Sequence, residues 1–199
     1  MLPRLGLFEY PKKKNFEIDG GEVYGIDIFL ISQILAAISF GFGIASYQFE
    51  GRRAILLFLV ACNVFNATHF YLLGRPGPTS MLLVTGLRYS VATMSTDRRL
   101  MVLFMAATIG VYLGYSVNIL SILSCVGTLI ATYGSFQADS CRLRLFVMVG
   151  NAMWVLHNFL SSTPVGAVME LSFLTSNLVG YWRHCRRRSV EPDEVEPRN

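Results

Sequence analysis

Long apolar runs, separated by short loops that carry arginines, constrain what this chain can fold into. Residues 100–136 contain no charged side chain. A membrane-spanning helix needs about 20 predominantly apolar residues, so this stretch is too long for one helix and fits two, hinged near residues 115–118. Together with the other apolar runs, it predicts seven transmembrane helices in an all-α integral membrane protein. The composition agrees, because 53% of the residues are hydrophobic and only 15% are charged, a balance typical of membrane proteins.

The loops between these runs contain charged residues, proline and glycine, and the last two end helices. The predicted spans cover residues 28–47, 54–73, 79–95, 100–116, 117–136, 145–160 and 165–182. Residues 1–25 are predicted to form a lead-in that lacks the apolar stretch of a cleaved signal peptide. Residues 184–199 are predicted to form a tail that begins with basic residues and ends in a disordered segment.

Basic residues are distributed unequally over the predicted loops, which indicates the orientation of the chain. Cytoplasmic loops of membrane proteins are enriched in lysine and arginine. One side of the bundle carries Arg52, Arg53, Arg98, Arg99, Arg142, Arg144, Arg183, Arg186, Arg187 and Arg188. The other side carries Arg75 and, in the lead-in, the opposing cluster at residues 12–14. The C-terminus is therefore predicted in the cytoplasm and the N-terminus outside. Since the net charge of +4 reflects topology, no nucleic-acid partner is predicted.

A hairpin with unusual polar residues occurs twice. Residues 63–81 align without a gap with residues 151–169, which matches Asn63 with Asn151, His69 with His157, Pro76 with Pro164 and Met81 with Met169. We interpret this as an internal repeat. The predicted architecture is a three-helix repeat in residues 26–96, a linker helix in residues 100–116 and a second three-helix repeat in residues 117–183. One linker helix makes the copies parallel, and transporters of this kind bind substrate near the midplane between the repeats.

These hairpins place polar side chains on strips that would face inward. Helix positions three apart lie on one face, so the two asparagine–histidine strips are continuous. By the 1.5 Å rise per residue, the aligned asparagines and Arg88 lie roughly 15 Å below the outer surface, and the histidines and Glu170 lie roughly 6–9 Å below it. The predicted solute-binding residues are Asn63, Asn66, Arg88, Asn151, Trp154, Asn158 and Asn177, and the predicted gate or proton-binding residues are His69, His157 and Glu170.

Arg88 and Glu170 are the charged residues within this set. A charge at the bilayer centre costs about 2.5–3.5 kcal/mol on insertion scales, so both side chains are expected to point inward. Each is the other's most available partner of opposite charge. Two interpretations remain open: a hydrated cavity between the repeats, or a set of hydrogen bonds that clamps the helices together.

Metal and redox chemistry are less well supported by the residue patterns. Two histidines and Glu170 at a similar depth could hold zinc, but no HExxH motif is present, and no metal or cofactor is predicted. The four cysteines (Cys62, Cys125, Cys141 and Cys185) contain no CxxC pair. They are expected to be reduced and to serve in packing.

The polar segments resemble a known family. The segment from Trp154 through His157 and Asn158 to Phe159, followed by Gly166, Glu170, Phe173, Leu174 and Asn177, resembles the YgjV family of bacterial inner-membrane proteins. So does the segment that begins at His69, with its proline–glycine turn and Arg88. The likeness covers residues 31–183 and implies an inner-membrane location, but no established activity.

The three-plus-one-plus-three layout is similar, more distantly, to the SWEET and PQ-loop transporters. Trp154 and Pro164 fit the sugar-site pattern of those transporters, whereas their Tyr-Gly pair is replaced by His157 and Asn158. Gln48 and Gln137 stand without the proline that would precede them in a PQ loop. This resemblance therefore implies an architecture and not a sugar substrate.

The predicted function is that of a facilitator or proton-linked transporter of a small polar or anionic solute. The predicted partners are the lipid bilayer and this solute, and a homo-oligomer is left open. An intramembrane metal-dependent enzyme and a non-transporting accessory protein are the alternatives.

Overall fold

The computed structural model describes residues 28–114 and 119–186. Within these ranges the chain forms seven α-helices and a final π-helical turn, and no β-strand. The elements are α1 (Ile28–Ser46), α2 (Arg52–Leu72), α3 (Pro76–Met94), α4 (Arg98–Leu113), α5 (Ile119–Ser135), α6 (Ser140–Leu160), α7 (Pro164–Tyr181) and the π-helical turn Trp182–Arg186. The predicted lead-in, the hinge near residues 115–118 and the tail beyond residue 186 lie outside the described residues.

An aspartate fixes the start of α6. The carboxylate of Asp139 accepts a hydrogen bond from the backbone amide of Arg142 at 2.9 Å, and Asp97 caps α4 in the same way. Such a cap satisfies an amide that has no partner within the helix. α6 therefore begins at Ser140 and not near residue 145. Arg142 and Arg144 lie in this helix, so their prediction as loop residues was wrong.

The α2–α3 and α6–α7 turns have the same backbone geometry. Each places one residue in the left-handed region, Gly74 with φ 66° and Ser162 with φ 54°. Pro76 and Pro164 each begin the next helix, where a proline removes no helical hydrogen bond. Each turn also has the same backbone hydrogen bonds: Leu73 to His69, Gly74 to Tyr71 and Arg75 to Phe70 in the first, and Ser161 to His157, Ser162 to Phe159 and Thr163 to Asn158 in the second.

The surface and interior have the polarity of a membrane protein. Large apolar side chains are exposed along the helices, for example Leu103, Phe159 and Val165. Polar side chains such as Ser39 and Thr132 are fully buried instead. In the described residues, α1, α2 and α6 are long and apolar enough to cross a bilayer. The chain is therefore an all-α integral membrane protein, and the crossing of all seven helices stays a prediction.

The helices pack in two groups. In the first helix group α1 packs on α2 and α2 on α3; in the second, α5 packs on α6 and α6 on α7, while α4 lies mainly against α5. α1 touches α7, where the Ser176 hydroxyl donates to the Ile44 carbonyl at 2.9 Å. α3 touches α5. The 3+1+3 arrangement and the parallel duplication stay predictions.

The buried apolar core lies at the predicted cytoplasmic end of the bundle. Its members come from the last turns of α1, α3 and α5 or the residues after them, and from the first turns of α2, α4 and α6. They are Tyr47, Ile55, Leu56, Leu59, Tyr89, Ala92, Phe104, Phe136, Leu143 and Val147. The two helix groups are therefore packed most closely at this end.

Arg52 hydrogen-bonds from the first helix group to the second. Its guanidinium donates to the carbonyls of Gln137 (2.6 Å) and Ser135 (2.9 Å) at the end of α5, and to the carbonyl of Ala92 (2.6 Å) near the end of α3. The last carbonyls of a helix lack partners within it and carry partial negative charge. The cation therefore satisfies these carbonyls and fixes the end of α5 against α2.

Arg144 makes the reciprocal connection from the second helix group to the first. It is fully buried in α6 and donates to the carbonyls of Tyr47 (2.8 Å) and Phe49, which follow α1. The Asn177 amide nitrogen on α7 donates to the Arg144 carbonyl at 3.0 Å. We call the hydrogen bonds of Arg52 and Arg144 the two arginine links.

A disulfide joins the start of α6 to the π-helical turn. Cys141 and Cys185 are bonded, with their Cα atoms 5.7 Å apart, because the antiparallel α6–α7 hairpin brings its two ends together. The expectation that all four cysteines are reduced was therefore wrong for this pair. Cys62 and Cys125 are free thiols.

Replacing Arg144 by alanine is expected to lower the free energy of unfolding by about 2–4 kcal/mol, since the buried Tyr47 carbonyl and the partly buried Phe49 carbonyl lose a charged donor. Denaturant titration of the protein in detergent measures this change. Arg142→Ala is the matched control, because Arg142 lies two positions away and is exposed. Equal stability of the two variants would contradict the structural role of this link.

Maleimide labelling after denaturation without reductant is expected to modify two cysteines per chain, Cys62 and Cys125, and all four after reduction. In Cys141→Ser the count without reductant rises to three, because Cys185 loses its partner. Mass spectrometry reads the counts. Four labelled thiols in the air-oxidised, unreduced protein would show that the bond does not form.

Candidate functional site

Arg88 is a buried cation at the contact between α3 and α5. It is 2% exposed, and its Nη1 donates to the Thr132 hydroxyl and to the Thr128 carbonyl, the latter at 3.3 Å. The guanidinium carbon also lies 4.5 Å from the centre of the Tyr89 ring. Among the described residues no carboxylate pairs with Arg88, so the expected pairing with Glu170 is not formed. The reason is that α3 packs against α5, whose threonines are nearer.

Glu170 lies on α7, half-buried, close to the first helix group. It is near enough to the Tyr47 hydroxyl and the Cys62 thiol to interact with both electrostatically. Within the described ranges no hydrogen bond or ion pair to its carboxylate is formed. The two charged residues of the predicted site therefore lie in different surroundings.

Tyr47 brings several predicted residues together, although the sequence did not single it out. The residue is 3% exposed and directly follows α1. Its hydroxyl lies beside the Asn151 side chain and within electrostatic range of Tyr89 and Glu170. The Tyr47 side chain thus connects α3, α6 and α7 in the interior of the bundle.

The aligned asparagines have different surroundings. Asn63 is buried on α2, and its amide nitrogen donates to the Leu59 carbonyl at 2.7 Å. It lies against Gly86 of α3, where a methyl group would contact its Cβ at 3.4 Å. The amide nitrogen of Asn151 is also buried but has no hydrogen-bond partner among the described residues.

The aligned histidines differ in the same way. Nδ1 of His69 lies 2.8 Å from the Ser32 carbonyl of α1, so a proton on this nitrogen joins α1 to α2. Nδ1 of His157 is buried with no partner in the described part of the chain. The His157 ring lies edge-on to Trp154, with 5.1 Å between ring centres.

Trp154 faces the second helix group, where its indole edge lies over Gly127 of α5. The glycine allows α5 and α6 to approach, because a methyl group there would come within 3.1 Å of the Gly150 carbonyl. Among the described residues Trp154 is therefore held by packing and not by a hydrogen bond.

Asn66, a further predicted solute-binding residue, is half-buried on α2.

Two predicted solute-binding residues are engaged within the protein. The Asn158 side-chain oxygen accepts a hydrogen bond from the Thr163 hydroxyl at 3.1 Å in the α6–α7 turn, and its amide lies against Gly166. Asn177 is fully buried and bonded to Arg144. Their contacts are those of the interhelical clamp that the sequence left open.

Two surface cavities lie away from these residues. One, of about 340 Å³, is apolar and lies between α6 and α7; the other, of about 390 Å³, is polar and lies between the α1–α2 and α5–α6 loops. In the ranges that the structure describes, no group of three or more His, Cys, Asp and Glu side chains could hold a metal. His69, His157 and Glu170 therefore do not assemble the zinc site considered as an alternative.

Comparison with known proteins identifies the family. The family model Imp-YgjV, described as bacterial inner membrane protein, matches residues 30–188. The chain belongs to the Imp-YgjV family. It is 24% identical over 169 residues to the Inner membrane protein YgjV of Escherichia coli (strain K12), covering 83% of this chain and 92% of that protein. No solved structure matches.

Membership of the Imp-YgjV family confirms the resemblance found in the sequence and places the chain in the bacterial inner membrane as a multi-pass protein. The matched residues include the arginine links, Arg88 and Glu170. The family description names a location and no activity.

Sequence reasoning missed the hydroxyl residues of α5. Ser124, Thr128 and Thr132 recur every four residues, which places them on one helix face. That spacing was a readable signal for an inward polar strip. Tyr112 on α4 gave a weaker signal, because only Thr108, four residues earlier on the same face, accompanies it in the apolar helix.

Replacing Thr132 by valine is expected to lower the free energy of unfolding by about 1.5–3 kcal/mol, because Arg88 loses its hydroxyl acceptor. Unfolding in detergent measures the effect. Thr68→Val is the control, since the exposed Thr68 hydroxyl bonds only to the Val64 carbonyl of its own helix. If both variants are equally stable, the Arg88–Thr132 contact contributes nothing to stability.

Proposed function

We propose that this Imp-YgjV protein is a facilitator or proton-linked transporter of a small polar solute, bound between the two helix groups. One observation carries the proposal. Arg88 Nε, Asn151 Nδ2 and His157 Nδ1 are buried polar atoms without a hydrogen-bond partner in the described chain. Each such atom costs about 1–3 kcal/mol, and lipid offers no compensation. In this proposal a bound solute, or water in its place, would satisfy Arg88 and Asn151, and a solute or water passing the outer gate would satisfy His157.

The arrangement of these residues supports a site near α5. Arg88 reaches α5 from the first helix group, and Trp154 contacts α5 from the second. Asn151 lies one turn before Trp154 on α6. In this proposal Asn63, Asn66, Arg88, Asn151 and Trp154 contact the solute. Asn158 and Asn177 act indirectly, because their amides are engaged by the turn and by Arg144.

His69, His157 and Glu170 form the proposed outer gate. Glu170 lacks a hydrogen bond or ion pair among the described residues, and histidine and carboxylate side chains are common proton carriers within membranes. His69 would hold α1 against α2, while His157 would be free to bind a proton or a solute. In this gate the His69 imidazole would be held by a hydrogen bond to α1, and the His157 imidazole would be available to bind a proton or the solute.

The proposed architecture is that of two parallel three-helix repeats joined by α4, with the C-terminus in the cytoplasm. Equal turns after α2 and α6 support the duplication. The arginine links and the apolar core then lie at the cytoplasmic end, so the described conformation would be closed there. Access from that side would require the two links to break. In this orientation the Cys141–Cys185 disulfide would lie on the cytoplasmic side of the membrane, where thiols are normally kept reduced.

A non-transporting accessory protein is the second candidate. It is favoured by the position of the two cavities, neither of which is lined by a predicted site residue. In that case the polar residues would serve only to hold the helices together.

The aligned histidines provide a matched test. His157→Phe should not lower the stability, since its buried nitrogen has no partner among the described residues, yet it should lower solute flux by about tenfold or more if that nitrogen serves the solute path. His69→Phe should lower the free energy of unfolding by about 1–2 kcal/mol, because the bond to Ser32 is lost.

Flux is measured by the swelling of proteoliposomes in a panel of small carboxylic acids, amino acids, polyols and sugars, with Thr68→Val as the control for reconstitution. If the wild-type protein transports no solute of the panel, the accessory role is favoured. Wild-type flux that His157→Phe leaves intact would exclude His157 from the path.

A further inference from the structure

A further unsatisfied donor, the Tyr112 hydroxyl, lies on α4 within electrostatic range of Arg88. We define the arginine–tyrosine cluster as Arg88, Tyr112, Ser124, Thr128 and Thr132. Arg88 and Tyr112 are 2% and 9% exposed, and Arg88 Nε and the Tyr112 hydroxyl have no hydrogen-bond partner within the described residues. The Tyr112 hydroxyl faces those of Ser124 and Thr128, and lies within electrostatic range of Arg88. Two buried donors without a partner among the described residues and one positive charge therefore lie on neighbouring helices in the interior.

The α5 hydroxyls limit what this cluster can bind. Thr128 and Thr132 donate their hydroxyl hydrogens to the carbonyls of Ser124 (2.8 Å) and Thr128 (2.7 Å). Thr132 thereby presents its oxygen to Arg88 as an acceptor. The hydroxyls thus fix Arg88 Nη1, but they are neutral and do not compensate its charge.

The charge of Arg88 calls for an anion. A buried ion without a charged partner is strongly unfavourable, and no described carboxylate pairs with it. Glu170 lies within electrostatic range of Tyr47 and Cys62. A cationic ligand would be repelled, and a neutral one would leave the charge uncompensated. Since a single arginine is present, a singly charged ligand matches better than a phosphate dianion.

The shape of the guanidinium selects among monovalent anions. Arginine presents a planar fork of donors that matches a carboxylate, whereas a spherical halide uses only part of it. Nη1 of Arg88 is held by α5 while Nε remains available, and Tyr112 supplies a further donor from α4. Nε and the Tyr112 hydroxyl together offer two donors, as many as one carboxylate has oxygens to accept them.

We propose that the arginine–tyrosine cluster binds the carboxylate of a small organic acid, with Arg88 Nε and the Tyr112 hydroxyl as its donors. This rests on the proposed function in taking Arg88 as part of the solute site, and it gives α4, the linker, a direct role in recognition. The solute class is then that of small monocarboxylates.

Acetate binding to the purified protein in detergent tests the assignment, with acetamide as the neutral analogue of the same shape and chloride as the inorganic anion. Acetate should raise the unfolding temperature in a saturable way, and acetamide and chloride should not. Equal stabilisation by acetamide would overturn the need for charge, and equal stabilisation by chloride would overturn the carboxylate. No effect of acetate would overturn the site.

Tyr112→Phe is the decisive variant, because the hydroxyl faces Ser124 and Thr128 but forms no hydrogen bond within the described residues, so its loss should not lower the free energy of unfolding. It should raise the Kd for acetate by about tenfold or more, the value of one hydrogen bond to a charged group. Tyr71→Phe, on a side chain that is 71% exposed, should leave the Kd unchanged. An unchanged Kd in Tyr112→Phe would exclude that hydroxyl.

The experiments distinguish failure of the anion site from failure of the transport function. Acetate binding that depends on Tyr112, without flux of any carboxylate into proteoliposomes, would sustain the anion site and remove the transport function. Flux of neutral solutes that acetate neither joins nor inhibits, with no acetate binding, would sustain transport and remove the anion site.

Discussion

The need to satisfy helix ends inside a nearly anhydrous environment underlies this structure. Helix C-termini expose carbonyls that water would solvate in a soluble protein, and two arginines solvate them here. Arg52 serves the end of α5, and Arg144 serves the residues after α1. Because each arginine belongs to the opposite helix group, the same bonds that satisfy the backbone also hold the groups together.

Much of the fold could be predicted because apolar length and turn chemistry are local properties. The predicted spans at residues 54–73 and 79–95 agree closely with α2 and α3. The start of α6 was misplaced because arginines were counted as loop residues, when Asp139 caps the helix before them. The Cys141–Cys185 bond could not be predicted, since it depends on the start of α6 lying beside the turn that follows α7.

The candidate site was predicted only in part, because identical residues in aligned positions acquire different partners. Asn63 and His69 bond to neighbouring carbonyls, whereas Asn151 and His157 retain unsatisfied nitrogens. Arg88 was expected beside Glu170 but lies against the α5 hydroxyls. Sequence alignment identifies which positions correspond; the packing of α1 and α5, which differ in sequence, decides what each position contacts.

The α2–α3 and α6–α7 turns have the same backbone geometry but differ in conformational energy, because the second has Ser162 in the left-handed region. A left-handed backbone has no steric cost for glycine but costs other residues roughly 1–2 kcal/mol. The α6–α7 turn therefore carries a conformational penalty at Ser162, and the α2–α3 turn, with Gly74 in that position, does not. Unwinding there releases that penalty. The loop beside His157 is thus the less costly of the two to rearrange, so the α2–α3 and α6–α7 hairpins need not move together.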